Sequence, residues 1–599
     1  TGVGADAGSH NVTGTNNTLV GSGAGTGASG NSNSYNTGVG SNALLSITTG
    51  GYNVAVGSRC ADALTDGHQN VFVGDFAGST TTSVGFATVV GHGAMGSGNV
   101  TADADGTVAI GYVALESLTS GSQNVAVGYE AMKAQTTGHS NVAVGYQSQL
   151  NANNNAADGN VSVGNFTLDG FGDVAVHSLT ALGHAALSSA LTADAAGATA
   201  VGRDALNSLT SGRYNTAIGY QALYAEDDGD KNTAVGYEAL KAQTGTSGDV
   251  NNTAVGYHAG LAITTGVNNT AIGESALSDL VEGNNNVAIG KAALGGALDA
   301  TADASYGNIA IGKDAMGGAW VTATSNYNIA IGEQAMDDAL NGATSNIAIG
   351  RRAATQLETG DSNIAIGADS LYASVDADRV IAIGGDACIR VLTSAADNTV
   401  AIGHSALQEL TSGSGNVAVG YQALDAEDTG DRNTAIGYNS LTNVNGADNN
   451  SNTGLGYNSG DVITTGTNNT CLGANTDPSA NSGANQTMVG SGVTGVADNA
   501  VVLGNSAVTK VYMAEDGAGE MYANGTINTS DRRLKENIND TDLGLSFINA
   551  LRPVSYKFID DKKPEKLKYG IIAQEVQEVL KESGNEDFAG ITDKGDYLG

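Results

Sequence analysis

Short segments in which bulky and small residues alternate recur along most of the chain. They share the five-residue core N-[TVI]-A-[VI]-G, found at 53–57, 124–128, 215–219, 346–350 and 416–420. Side chains alternate between the two faces of a strand, so Val54 and Val56 face one side while Ala55 and Gly57 face the other. One face is therefore bulky and the other nearly bare, and the glycine allows another backbone to approach closely.

The glycine that closes each core sets the period of the repeat. Counting degenerate copies, it occurs 29 times from Gly4 to Gly504, and 16 of the 28 intervals are 17 residues. This period is too short for two-helix repeats or propeller blades, but it suits one coil of a parallel β-solenoid. An aromatic residue, Ala-Leu and a Thr-Thr-Gly type of turn often follow, which predicts a second short strand and a tight return. One coil offers only about four apolar side chains, so coils must stack to offset the backbone entropy lost on folding.

Two polar or aromatic columns are expected along such a stack. The Asn that opens each core is predicted to form an internal ladder of side-chain amides, with a glycan or metal role as the alternative. The position after the glycine is predicted to form vertical tyrosine stacks. These pack neighbouring coils or chains, or alternatively bind sugars, and comprise Tyr112, Tyr129, Tyr146, Tyr220, Tyr237, Tyr257, Tyr421, Tyr438 and Tyr457.

Composition and charge exclude several classes of protein. The chain has 599 residues, 86 of them Gly and 3 Pro, without the every-third-residue glycine of collagen. A formal charge of -36 disfavours nucleic acid and anionic membranes as partners. Cys60, Cys388 and Cys471 form neither a disulfide framework nor a zinc pair, and are predicted to fill the core.

Targeting signals and metal sites add little to this picture. No membrane-length apolar run or signal peptide is present, and the start within a repeat without Met favours a fragment. The acidic turns 226–230 and 427–431 are predicted to be solvated loops, with Ca²⁺ binding as the alternative. No cofactor is otherwise expected.

A change of composition divides the chain. Residues 530–599 carry a formal charge of -3 against -33 for the rest. We predict a repeat shaft at 1–504, a β stem and linker at 505–529 that includes Val511–Met513, and a small α+β domain at 530–599. Helices are predicted at 574–581 and over 543–551, the latter ended by Pro553.

The repeated core and its short return resemble the head repeats of trimeric autotransporter adhesins and of related phage tail fibres, over about 500 residues. In those families, three chains each wind a parallel β-roll around one axis. The resemblance implies an all-β fold, a trimeric left-handed parallel β-roll of about 29 coils.

The last seventy residues resemble the self-cleaving intramolecular chaperone of endosialidase-type phage tailspikes and tail fibres. The matching motifs are SDRRLKENI at 530–538, LSFINALRPVSY at 545–556 and YGIIAQEV at 569–576. The resemblance implies that Ser530 is the nucleophile and Lys535 the base of a serine–lysine dyad that cuts the Thr529–Ser530 bond. A serine needs such a base, and a lysine can serve when burial or a nearby cation lowers its pKa.

Two further points concern the interpretation of residues 530–599. The alternative roles for Ser530 and Lys535 are a turn cap and a surface ion-pair partner. The family continues into a long helix, whereas this sequence stops at Gly599, which favours a truncated domain.

Together these features predict a homotrimeric virion tail fibre, outside the cell, that supports attachment to a host-surface glycan or protein and contacts other virion tail proteins. Its C-terminal chaperone would put near-identical coils in register, because a slip of one coil costs little locally. Self-cleavage is the only enzymatic step expected, with no activity on external substrates. A bacterial trimeric surface adhesin and a fibre-borne polysaccharide depolymerase are the alternatives.

Overall fold

The computed structural model describes residues 1–151, 157–170, 176–192, 194–245, 248–296, 304–320, 323–446, 450–514, 544–557 and 568–584. The chain divides into two units, Thr1–Thr509 and Lys510–Gly599. The first unit is a parallel β-solenoid with a period close to 17 residues, as the repeat predicted.

Each coil of the solenoid contributes one strand of about three residues to a 29-stranded parallel sheet. Its strands are β1 (Gly2–Val3), β2 (Thr18–Val20), β3 (Thr37–Val39), β4 (Val54–Val56), β5 (Val71–Val73), β6 (Thr88–Val90), β7 (Val108–Ile110), β8 (Val125–Val127), β9 (Val142–Val144), β10 (Val161–Val163), β11 (Thr180–Leu182), β12 (Thr199–Val201), β13 (Thr216–Ile218), β15 (Thr233–Val235), β17 (Thr253–Val255), β18 (Thr270–Ile272), β19 (Val287–Ile289), β20 (Ile309–Ile311), β21 (Ile329–Ile331), β22 (Ile347–Ile349), β23 (Ile364–Ile366), β24 (Ile381–Ile383), β25 (Val400–Ile402), β26 (Val417–Val419), β27 (Thr434–Ile436), β28 (Thr453–Leu455), β29 (Thr470–Leu472), β30 (Thr487–Val489) and β31 (Val501–Leu503).

Smaller elements complete the described chain. The strands β14 (Gly229–Asp230) and β16 (Gly248–Asp249) pair in parallel, and short 3₁₀ turns lie at Ala102–Ala104 and Ser394–Ala396. The second unit contains the helix α1 (Leu545–Ala550), the strands β32 (Pro553–Tyr556) and β33 (Lys568–Ile571), which pair antiparallel, and the helix α2 (Ala573–Glu582). Both predicted helices are confirmed, but the described residues 505–514 of the predicted stem form no strand.

The core lies inside each coil and is built from small residues. The middle residue of a strand, such as Ala348, is buried, while the two β-branched residues beside it face outward and are partly exposed. Leucines of the return segment, together with the unique Trp320, fill the rest of this core. All three cysteines are buried and unpaired, which confirms their prediction as core fillers.

The closing glycines stack directly on one another. At Gly332, φ is +140°, and an added Cβ would lie 2.3 Å from the carbonyl oxygen of Gly350 in the next coil. Both the backbone angle and this close approach require glycine. The same approach recurs along the column, for example from Gly128 to Gly145 at 2.1 Å, so the glycine that sets the sequence period also sets how closely coils stack.

The predicted second strand is wrong. Gln221 and Leu223 have φ values of 51°, and this alternation of left-handed residues curls the segment after Gly219 into a turn. The turn still stacks, because the Gln221 N–H donates to the carbonyl of Arg203 and the Leu223 N–H to that of Ala239. Left-handed conformations cost about 1–2 kcal/mol for ordinary residues, a cost that hydrogen bonds to both neighbouring coils help to offset.

The predicted asparagine ladder is confirmed. Asn346 is fully buried, and its Nδ2 donates to Asn328 Oδ1 at 3.0 Å and to the Gly360 carbonyl at 2.8 Å. Its own Oδ1 accepts the Asn363 N–H at 2.9 Å. Each amide thus satisfies backbone groups that the turn would otherwise bury without partners.

Candidate functional site

The outward face of the long sheet is its most extended apolar surface. In β22, Ile349 is 37% exposed, and in β4, Val54 and Val56 are 36% and 37% exposed. Equivalent β-branched or threonine residues occupy this face in coil after coil. Contiguous apolar surface on this scale marks an interaction site in soluble proteins.

The tyrosine column forms three stacks of three rings, which confirms the predicted vertical stacking. Tyr112, Tyr129 and Tyr146 have ring centroids 5.1 and 5.2 Å apart and planes within 13°. Tyr220, Tyr237 and Tyr257 form the second stack, and Tyr421, Tyr438 and Tyr457 the third.

This stacking limits what the tyrosines can bind. In each stack the middle ring is covered on both faces by its neighbours, so the edges and hydroxyl groups face solvent. A sugar that stacks on an aromatic ring needs an open face. The geometry therefore favours packing between coils over sugar recognition along these columns.

The acidic turn at 226–228 brings three carboxylates together. Glu226, Asp227 and Asp228 each have an oxygen within 4.8 Å of the others. The Glu226 side chain, however, is fully buried and accepts hydrogen bonds from the Gly229 N–H and the Asn232 amide, while Asp227 is exposed and Asp228 half-buried. Because its two oxygens already have protein donors, we do not assign these residues as metal ligands.

A serine, a histidine and an aspartate also meet on the shaft. Ser405 Oγ lies 2.9 Å from His404 Nδ1, and His404 Nε2 lies 3.7 Å from Asp386 Oδ2. Ser405 is only 4% exposed, so a substrate cannot reach its hydroxyl group. This cluster does not support a nucleophilic site on the shaft.

The predicted dyad belongs to the second unit. Thr529, Ser530 and Lys535 lie outside the described residues, so their geometry stays a prediction. Within the described part, Arg552 pairs with Glu575, with Arg552 Nε 3.1 Å from Glu575 Oε2. The Arg552 guanidinium lowers the pKa of the Glu575 carboxyl below its ordinary value. This pair links the start of β32 to the first turn of α2.

The second unit also exposes apolar residues on its described elements. Leu545 and Ile548 of α1 are 74% and 58% exposed, and Tyr569 of β33 is 82% exposed. Ordered elements with so much exposed apolar surface are typical of a segment that packs against further chain or another copy.

Comparison with protein families places this second unit. Residues 530–585 match the chaperone of endosialidase family. The match begins at Ser530, the residue that the sequence motif assigned as the nucleophile, and covers α1, β32, β33 and α2. No curated protein matches the chain significantly. A parallel β-solenoid of this length followed by an endosialidase-type chaperone segment fits a tail fibre.

This combination describes a tail fibre-like protein and is compatible with a virion or extracellular location. Among the described residues, no helix is long and apolar enough to cross a membrane. Sequence reasoning found the chaperone segment through its three motifs. It treated Glu226 and Glu427 only as members of acidic turns and missed that both are buried. Aligning the coils would have indicated this, because both glutamates stand where other coils carry leucine or isoleucine.

Proposed function

We propose that the protein is a homotrimeric tail fibre whose solenoid shaft supports attachment to a host surface. The observation that carries this proposal is the continuous outward apolar face of the 29-stranded sheet, joined in one chain to an endosialidase-type chaperone segment. The partner that best fits a face repeating with every coil is a surface with the same repeat, which is another copy of the chain. The third position of each strand keeps Val, Ile or Leu throughout, as such an interface requires.

The proposed organisation has three parts. Residues 1–504 form the shaft, 505–529 a linker, and 530–599 the segment that trimerises the chains and sets their register. This segment then cuts the Thr529–Ser530 bond, with Ser530 as nucleophile and Lys535 as base. Removing it after assembly would make unfolding of the fibre effectively irreversible, which is kinetic stability.

The partners would be a glycan or protein receptor on the host and other virion tail proteins. The bacterial surface adhesin and the depolymerase remain the alternatives. Release of reducing sugars from host capsule or lipopolysaccharide would support the depolymerase. A pull-down of whole virions against outer-membrane extracts would distinguish a fibre from an adhesin.

The test is the intact mass of the expressed chain beside a Ser530→Ala variant, with the oligomeric state measured by light scattering. We expect a wild-type product that ends at Thr529, an uncut variant, and trimers in both. Lys535→Met should also stay uncut, because it removes the base while keeping much of the side chain's volume.

Ser555→Ala is the matched control, because it removes a serine hydroxyl within the same matched segment and should leave cleavage unchanged. An uncut wild-type trimer would leave assembly as the segment's only role. An uncut monomer would contradict both assembly and cleavage.

A further inference from the structure

Two glutamates occupy a column of the core that is otherwise largely apolar. The seventh residue after the closing glycine is a buried leucine or isoleucine in many coils, namely Ile47, Leu64, Leu118, Leu209, Ile263, Leu280, Leu357, Leu410 and Ile463. In two coils this residue is Glu226 or Glu427, and both have no exposed surface. A carboxyl group at such a position is costly unless hydrogen bonds satisfy it.

Glu226 is held by its own turn. Its Oε1 accepts the Gly229 N–H at 2.7 Å, and its Oε2 accepts the Asn232 side-chain amide at 3.0 Å. Glu427 repeats this arrangement: the Gly430 N–H donates to Oε1 at 2.6 Å, and the Asn433 amide to Oε2 at 3.2 Å. The same carboxyl-centred turn therefore occurs twice, 201 residues apart.

The two ladder asparagines next to these glutamates each donate to the carboxyl group. In the coils just before them, Asn215 Nδ2 donates to the Gly229 carbonyl and Asn416 Nδ2 to the Gly430 carbonyl, both at 2.7 Å. Asn232 and Asn433 donate to the glutamate six residues before them. Each glutamate thus gives the ladder an acceptor that a leucine or isoleucine at this column position cannot provide.

Burial favours the neutral form of each carboxyl, while the hydrogen bonds from its own turn favour the charged form. Asp227 and Asp228 act on Glu226 from its own turn, while the following coil approaches its Oε1 with the uncharged Gly245. The preceding coil donates the Thr210 N–H to the carbonyl of Asp227. Burial, with these two carboxylates adding to it, raises the pKa of Glu226 to about 7, although the Gly229 N–H opposes the shift.

Glu427 is buried in a similar turn, where hydrogen bonds oppose the effect of burial on its carboxyl. The following coil adds the uncharged Asn450, whose amide donates to Oε2 at 3.3 Å. On its own turn, the Asp428 carboxylate accepts a hydrogen bond from Thr411 of the preceding coil. Burial raises the pKa of Glu427, while the Gly430 N–H and the Asn450 amide favour its charged form.

We propose that Glu226 and Glu427 are pH-sensitive latches, which keep the turns 226–232 and 427–433 packed while the carboxyl is neutral and let them open when it ionises. A carboxyl whose pKa is raised by folding stabilises the folded turn fully below its unfolded value. That stabilisation is lost as the pH rises through the folded value. For Glu226 the window runs from about pH 4.5 to about pH 7.

The test is amide hydrogen exchange of the full chain between pH 5 and pH 8, with rates corrected for the intrinsic pH dependence of exchange. Peptides covering 223–235 should show an opening equilibrium that grows about tenfold from pH 6 to pH 8. Peptides covering 424–436 should change in the same direction. Peptides covering 61–73, where Leu64 fills the column, should not change. An equal response in all three regions would overturn the proposal.

Two variants sharpen the test. Glu226→Gln should abolish the pH response at 223–235, because the amide does not titrate there. Gln243 occupies the same column, and its Oε1 accepts the Asn252 amide at 2.8 Å, so Gln243→Glu should create a new pH response in its own coil. If Glu226→Gln prevents folding, hydrogen exchange of the wild-type chain between pH 5 and pH 8 and of Gln243→Glu still tests the proposal. A Gln243→Glu coil without any pH response would contradict the latch.

Discussion

The two units of the chain differ in how far their apolar residues are buried. In Thr1–Thr509, the alanine, leucine and methionine side chains of successive coils are buried in two long core clusters. Among the described residues of Lys510–Gly599, Leu580 alone is buried. The shaft therefore satisfies its core within one chain, coil on coil. The described elements of the second unit leave several apolar residues, such as Leu545 and Tyr569, exposed, which fits the proposed trimerisation.

The largest effect is expected where the shaft is most tightly stacked. Gly332→Ala places a Cβ 2.3 Å from the Gly350 carbonyl oxygen at a φ of +140°, so strain and overpacking together should cost about 3–5 kcal/mol. Trp320, the only tryptophan, lies in the preceding coil and is fully buried. Tryptophan fluorescence during denaturation therefore measures the loss of stability.

Gly342→Ala is the matched control for this substitution. Its φ is also positive, at +92°, but the nearest atom to an added Cβ is 3.5 Å away. It should cost only the backbone strain of about 1–2 kcal/mol. Equal losses in the two variants would mean that close stacking of the glycines contributes little.

The next largest effect is expected when an aspartate on the inner face of the sheet is compared with one on its outer face. Ala348→Asp buries an unpaired carboxylate and should unfold the coils around Trp320, at a cost of several kcal/mol. Ile349→Asp should leave the coil folded, because this side chain is 37% exposed. If copies of the chain pack through this face, Ile349→Asp should weaken the trimer, which light scattering would show as dissociation at a higher protein concentration than in the wild type.

Ile349→Val is the control for the outer face, since valine holds the same position in other coils. It should stay folded and keep the wild-type oligomeric state. An Ile349→Asp trimer that dissociates no more readily than the wild type would place the interface elsewhere.

The smallest effect is expected in the second unit. The Arg552 guanidinium lowers the pKa of Glu575. This pair therefore stabilises the unit above the ordinary pKa of a glutamate, and the stabilisation is lost as the pH falls through the lowered value. Arg552 is exposed and Glu575 partly exposed, and surface pairs contribute little, so Arg552→Gln should change hydrogen exchange in α2 by less than about twofold at pH 7. A large change in hydrogen exchange would show that the elements of the second unit pack more tightly than their exposed residues indicate, and so resemble the shaft more closely.

The parts of the fold that repeat with every coil were predictable. Alternation put Ala55 and Val54 on opposite faces of the strand, and a single period predicted both the asparagine ladder and the tyrosine stacks, because each depends on one residue per coil. The return segment was not predictable in the same way. A run such as Tyr220–Leu223 has strand-like residues, and only hydrogen bonds to both neighbouring coils hold Gln221 and Leu223 in left-handed conformations.

The candidate sites also differ in whether the sequence could predict them. Three motifs identified the chaperone segment, and Ser530, Lys535 and the Thr529–Ser530 bond stay predictions. The buried glutamates were missed because a single acidic turn looks the same in sequence whether its first carboxyl faces solvent or the core, and only an alignment of the coils places them in an apolar column.

By itself, the sequence determined the period, the strands, which face of each strand is small, and the presence of a chaperone segment, because these depend on local residue patterns. The tertiary structure alone decided how the return is wound and which groups of the neighbouring coils approach Glu226 and Glu427. Each of these depends on what the neighbouring coil places a few ångströms away, and no single coil carries that information.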